Sequence, residues 1–295
     1  MNSLNKPQVD TRVRLRRLAV VAGLVVAGTG AAVIGASPAF AAVINNAAAA
    51  AAGTISQVSV AACPAGQVLT GAGGWIVGGA GDVTLTDVIP SLATQTVTAW
   101  GHANPGAAPG AYVVVAQAIC VPGAPPPNYQ LVTSVSANNG APVKSQVVNC
   151  PAGTNLLGLG AQLANGNGEV FYQRIQPNAA LNSATVTAGA SGGYLGPWQV
   201  TAYAICATPP GVIGLVAATG PLNNAAAKVQ ATGACPAGTI TTGVGGQVSQ
   251  PATGNVILDR ITANAAQNAA VAGADSDGTF FPNWDLTSYN ICWGP

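Results

Sequence analysis

The chain has 295 residues, 49% of them hydrophobic and only 6% charged, with a formal net charge of +1. Its nine Lys and Arg do not supply the clustered cations that nucleic-acid binding needs to neutralise phosphates, nor, beyond the N-terminus, a basic patch for anionic lipid. Low charge with high apolar content is the reverse of a disordered composition, so the chain is expected to fold with Thr, Asn, Gln and Ser solvating its surface.

The first element is a leader. Arg12, Arg14, Arg16 and Arg17 precede an apolar run from Leu18 to Ala36, and Ala39-Phe40-Ala41 stands before Ala42. A basic segment, a hydrophobic segment and small residues around an A-x-A site describe a secretory signal peptide over residues 1–41. The competing reading is an uncleaved anchor, since the run is nearly long enough to span a bilayer; Gly and Thr dilute it, and the A-x-A site follows. Arg16-Arg17 hints at twin-arginine export, but Leu18-Ala19-Val20 fits that signal poorly. Cleavage leaves Lys144, Arg174, Lys228 and Arg260 against seven acids, a net charge of −3. No comparable apolar stretch follows, so the mature protein is expected to be secreted and off the membrane.

The mature chain is a triplication. Cys63-Pro64-Ala65-Gly66 recurs as Cys150-Pro151-Ala152-Gly153 and Cys235-Pro236-Ala237-Gly238. A second cysteine closes each copy in Ala118-Ile119-Cys120, Ala204-Ile205-Cys206 and Asn290-Ile291-Cys292. Between these anchors, Gly71-Ala72-Gly73-Gly74 matches Gly158-Leu159-Gly160-Ala161 and Gly243-Val244-Gly245-Gly246, and Tyr112, Trp198 and Trp284 stand at one position. A paired amide precedes each copy: Asn45-Asn46, Asn138-Asn139 and Asn223-Asn224. The repeats are placed at residues 42–124, 125–209 and 210–295.

Each copy reads as five or six short strands. Segments such as Val83-Thr84-Leu85-Thr86 and Gln199-Val200-Thr201-Ala202-Tyr203 alternate with period two, and Gly-rich punctuation separates them. The one helix-like stretch, Ala47–Ala52, is too short to be stable alone. The closing strand is apolar on both faces, which places it inside a sandwich or at a contact between copies. The fold class is therefore all-β: three tandem disulfide-closed repeats, either sandwich units in a row or a pseudo-three-fold, β-prism-like assembly. The joints Pro122-Gly123-Ala124-Pro125-Pro126-Pro127 and Pro209-Pro210-Gly211 favour units in a row.

Six exported cysteines allow fifteen pairings. Triplication favours the one in which each copy closes itself: Cys63–Cys120, Cys150–Cys206 and Cys235–Cys292. Each bridge is expected to contribute on the order of 4 kcal/mol in the chain-entropy model. Metal ligation is excluded by the lack of C-x-x-C or Cys/His spacing, and no cofactor is expected.

Catalytic constellations are sparse. His102 is the single histidine, and its Gly/Pro-bounded segment reads as a solvated loop. No serine has the context of an activated nucleophile. Asp82 and Asp87, five apart, would face opposite ways on a strand. Asp275 and Asp277 could face together, but Asp275-Ser276-Asp277-Gly278 has the composition of a turn. The Gly-x-Gly pairs lack the third glycine and following helix of a dinucleotide site; glycine within a strand marks a bulge or close backbone approach. Trp198 and Trp284 share the face of the bridged cysteine and read as core, whereas Trp100 and Trp293 are the candidate ligand-contact aromatics.

The series C-P-A-G, then G-x-G-[G/A], then aromatic-x-[V/L] leading to I-C resembles a β-repeat of secreted actinobacterial and phage proteins, used singly or in tandem. It is carried by Cys63–Cys120, Cys150–Cys206 and Cys235–Cys292. The resemblance implies a modular extracellular unit and brings no catalytic residues. The three-fold tandem with repeated cysteines is also similar to the β-prism of egg vitelline-membrane outer-layer proteins, as architecture alone. The expected role is a non-enzymatic structural or interaction protein of the cell exterior. Its partner would be a glycan or other cell-surface component, and the alternative is a lectin-like binder with up to three weak equivalent sites.

Overall fold

A computed structural model of the chain describes residues 41–79, 82–249, 256–276 and 282–294. Most of the leader, the third copy's Gly254-Asn255 and the Asp277-Gly278 pair lie outside the described residues.

Six strands form in each repeat, with no α-helix among the described residues. The first repeat supplies β1 (Ala42–Ala50), β2 (Ser56–Ala62), β3 (Gln67–Gly78), β4 (Val83–Ser91), β5 (Thr96–Ala103) and β6 (Tyr112–Pro122). The second supplies β7 (Gln130–Val135), β8 (Val143–Asn149), β9 (Asn155–Ala164), β10 (Val170–Pro177), β11 (Ser183–Ala190) and β12 (Gln199–Ala207). The third supplies β13 (Ile213–Thr219), β14 (Ala227–Ala231), β15 (Ile240–Val248), β16 (Val256–Ala263), β17 (Ala270–Ser276) and β18 (Leu286–Trp293). The alanine run ends as strand: Ala47 to Ala50 extend β1 along β6 as far as Tyr112.

No repeat owns a sheet. The first, sixth and third strands of one repeat join the fourth, fifth and second of a neighbour, giving β1-β6-β3-β16-β17-β14, β7-β12-β9-β4-β5-β2 and β13-β18-β15-β10-β11-β8. Every wall is thus shared by two repeats, and every repeat turns a corner between its first and second strands. This is the closed three-fold arrangement and not the row of sandwiches. The Pro-rich joints carry the chain from one wall to the next instead of spacing beads. Sharing pairs the edge that a three-stranded half would otherwise expose. One continuous core, including the fully buried Trp198 and Trp284, draws on all three repeats.

The glycine pairs explain why the ring can close. Thr70, Leu157 and Thr242 are the extra residues of bulges in β3, β9 and β15, and they bring the adjacent glycines together at the centre. A methyl at Gly71 would stand 2.1 Å from the Thr242 carbonyl oxygen, at Gly158 2.1 Å from that of Thr70, and at Gly243 2.5 Å from that of Leu157. Each first glycine therefore abuts the bulge of another repeat. The second glycine does the same at the seam between repeats. A methyl at Gly73, Gly160 or Gly245 would lie 2.6, 2.4 or 2.4 Å from the carbonyl oxygen of Ile261, Val88 or Ile175. Only a residue without Cβ permits these approaches.

The three expected disulfides are formed. Each runs from the residue or turn after a repeat's second strand to its closing strand, and those strands lie in different walls. A bridge therefore ties two walls together at a corner. The closing strands β6, β12 and β18 sit between the first and third strands of their repeats and are almost wholly buried, as their two apolar faces require.

Candidate functional site: the seam between the first and second repeats

Among the described residues the repeats meet in each wall through two residue pairs: Asp87↔Gln162 and Val88↔Ala161, Arg174↔Gln247 and Ile175↔Gly246, Arg260↔Trp75 and Ile261↔Gly74. Just before each seam the fourth strand bulges, at Thr86, Gln173 or Asp259. The bulge turns the following residue outward and ends the pairing. The backbone is common to all three seams, but the side chains on it are not.

At the seam of the third and first repeats, Arg260 lies over the Trp75 ring, 5.4 Å from its centroid. Buried Gln117 donates to Asn45 Oδ1 (2.8 Å) and the Ala263 carbonyl (3.1 Å), and its Oε1 accepts from the Ala263 amide (2.6 Å). At the seam of the second and third, the Tyr289 hydroxyl donates to Gln247 Oε1 (2.8 Å) and accepts from Gln176 Nε2 (2.8 Å).

The seam of the first and second repeats is acidic instead. Asp87 Oδ1 accepts from the Leu163 amide at 3.3 Å, and burial pushes the carboxyl up to about 7, partly offset by that bond and by one to Thr86. Behind it, fully buried Tyr172 donates to the Thr86 carbonyl at 2.5 Å, and Tyr203 donates to Gln162 Oε1 at 2.9 Å. Burial holds both phenols above their ordinary range, and the Asp87 charge reinforces this. Desolvation is what disfavours the charged form of this carboxyl.

A recess of about 170 Å³ opens where β4 and β9 splay beyond this seam, its lining including Asp87, Trp100 and His102. Trp100 pairs with Asp87 across β4 and β5, and His102, two residues on, shares its face. The opposite wall is the Asn165–Gly168 turn of the second repeat. Asn165, Asn167 and Gly168 take φ of 62°, 48° and 79°, and the Tyr194 hydroxyl anchors the turn through the Asn165 carbonyl. A methyl at Gly168 would lie 2.2 Å from the Ala103 carbonyl oxygen, so the turn packs directly on the end of β5.

Trp100 lies at the recess with 38% of its surface exposed. Trp293 does not. It is buried at 4% against Val68 and Val121, because the position after each closing cysteine, Val121, Ala207 or Trp293, points into the interior. His102 is not a loop residue. It is a half-buried member of β5, paired with Ser56 and Thr84. Its Nδ1 lies 2.8 Å from the Ala103 carbonyl, which can only accept, so in the neutral ring Nδ1 carries the proton and Nε2 is the acceptor. The parity expected for Asp82 and Asp87 fails because β4 begins at Val83 and gains an extra residue at Thr86.

Asp275 and Ser276 lie on β17 rather than in a turn. Asp275 hydrogen-bonds Asp259, whose carboxyl burial and this neighbour hold well above the ordinary range. One further repeated device lies away from the seams. Lys144 Nζ sits 4.6 Å over Trp198 and donates to the carbonyls of Ala137 (2.7 Å), Asn139 (2.9 Å) and Trp198. Lys228 repeats this over Trp284, at 4.3 Å, with Pro221 (2.9 Å), Asn223 (3.0 Å) and Trp284. The first repeat has Gln57 and Tyr112 at these positions, by register. Its Asn45-Asn46 lies opposite Gln117 and Ala116, whereas Asn139 and Asn223 pair with Trp198 and Trp284. The paired amide therefore recurs in two repeats, and the third instance is a coincidence of sequence.

No protein-family model matches the chain, and no curated protein does either.

Proposed function

We propose that the protein is a secreted, non-enzymatic interaction protein of the cell exterior that engages a surface component through the seam of its first and second repeats. The observation that carries this reading is the break in three-fold chemistry. The scaffold elements recur in every copy, while Trp100, His102 and Asp87 gather at one seam only. Their counterparts by register are Thr187, Gly189 and Arg174 at the second seam, and Gly273, Asp275 and Arg260 at the third. The leader pattern and three disulfides suit an oxidising exterior, and a surface poor in charge suits contact with a neutral polymer.

The test is retention of the labelled mature protein on intact cells and on isolated cell-wall polymer. Saturable retention, displaced by excess unlabelled protein, is the expected outcome. Retention that does not saturate, or none at all, overturns the interaction reading.

A further inference from the structure

Resting on that reading, we propose that the recess between β4, β5 and the Asn165–Gly168 turn is a binding site for one ring of a neutral saccharide. Its volume of about 170 Å³ is below the range of drug-sized ligand pockets and suits a single sugar ring. Trp100 supplies an accessible aromatic face on which the C–H face of a pyranose can lie, with the polarity of its edge left for water. Around that face stand the groups a ring of hydroxyls needs. In the neutral ring His102 Nε2 accepts, because Nδ1–H is committed to the Ala103 carbonyl. Asn165 and Asn167, both exposed, offer amides that donate and accept. Ser56 adds a hydroxyl at the rim.

The lining also decides against other ligands. Among the described residues it contains no Lys or Arg, so a phosphate, sulfate or uronate would meet Asp87 without compensation. The desolvated Asp87 carboxyl, with its pKa near neutrality, can both donate and accept at a hydroxyl. A fixed anion would instead favour a cation. The site is built rather than adaptable: two asparagines and a glycine hold left-handed backbone angles, and the turn is seated on β5 by the contact at Gly168. Less order has to be gained on binding. By register the Asp87, Trp100 and His102 set occurs at one seam among the described residues, so the proposal is for this site alone.

The mature protein is titrated with glucose, galactose, mannose and N-acetylglucosamine, with glucuronate and choline as the charged comparisons, and tryptophan fluorescence and calorimetry are followed. At least one neutral sugar is expected to bind with a dissociation constant on the order of 1 mM, one ring offering few contacts. Trp100→Ala is expected to weaken it about tenfold. Asn167→Gly, which removes the amide and tolerates the left-handed backbone at φ 48°, is expected to weaken it severalfold with little change in the melting profile, so a folding defect in the first variant does not protect the proposal. Preference for glucuronate or choline, failure of all four sugars at 50 mM, or undiminished sugar binding by both variants overturns it. The two proposals separate cleanly. Saturable cell-wall retention by a protein that binds none of the four sugars removes the saccharide site and leaves the interaction protein standing.

Discussion

The centre of the molecule and the outer face of its seams follow opposite rules. At the centre, three bulges and three glycines repeat with the same chemistry and nearly the same distances. On the seams, one backbone pattern carries Arg260 over Trp75, Arg174 beside Gln247, and Asp87 beside Gln162. The centre tolerates no variation because backbone meets backbone there, and a side chain has nowhere to go. The seam faces open outward, so their side chains can diverge while the pairing beneath them stays. Repetition therefore marks what closes the ring, and its loss marks the faces on which the proposed contact rests.

The largest test of that contrast is a single methyl at the centre. Gly158→Ala places Cβ 2.1 Å from the Thr70 carbonyl oxygen and 2.7 Å from Gly71 Cα. The neighbours are backbone of another repeat, so relief requires the strands to part. A loss above about 3 kcal/mol is expected, at the upper end of overpacking costs. Gly214→Ala, on outer strand β13 with nothing within 4 Å, is expected to stay within about 0.5 kcal/mol or to stabilise slightly through the unfolded chain. Urea unfolding of both variants decides it, and equal losses would break the distinction between centre and periphery.

The seam face makes the next prediction, through pH. The folded Asp87 carboxyl titrates near 7 against a usual 3.8, so folding favours its protonated form. That contribution is present in full below pH 3.8 and is lost as pH rises through 7. The whole shift corresponds to about 4 kcal/mol. Only part falls between pH 5 and pH 8, and the carboxyl reaches the recess, where water screens it. Asp87→Asn is therefore expected to remove about 2 kcal/mol of the decline between those pH values, gaining stability at pH 8. Asp259, shifted in the same direction, keeps a residual slope in the variant. A slope unchanged by Asp87→Asn would show the carboxyl to be solvated.

How much of this is legible in the sequence depends on whether a feature is local. The cysteine spacing predicts the bridges because each repeat carries its own pair, and Gly-x-Gly within a strand announces a close backbone approach. That approach is to a different repeat, and the repeat pattern cannot disclose it: three identical copies specify what each strand is, not whose strand it pairs with. Thr86 shows a second limit. One extra residue before Asp87 reverses the parity on which its facing is judged, and so conceals its meeting with Trp100 and His102. Gly101 and Pro105 flank His102 as they would in a loop, yet Gly101 is buried in β5, where a methyl would lie 2.8 Å from Ile76 and Val114 side chains. Trp293 follows its cysteine as Val121 and Ala207 do. That shared position points inward, and the reading of Trp293 as a contact aromatic overlooks it.

The smallest effect tests a device held by two repeats and absent from the first. Lys144 fastens the loop after β7 onto the closing strand by donating to three carbonyls above Trp198. In the first repeat nine residues of β1 run on to Ala50, opposite Tyr112, so ladder hydrogen bonds do there what the lysine does elsewhere. Burial lowers the Lys144 pKa, which means the charged amine carries a desolvation cost at neutral pH that fades as alkali deprotonates it. That cost offsets part of the gain from its partners, and Lys144→Met is expected to lose only about 1–2 kcal/mol, mostly from carbonyls left without a donor. Gln57→Met, at the matching position, is expected to change stability by less than about 0.5 kcal/mol. Hydrogen exchange should show the Lys144→Met loss as opening between β7 and β8, while the β1–β6 ladder keeps its protection. Equal exposure of both would mean that lysine and ladder are not alternative solutions to the same corner.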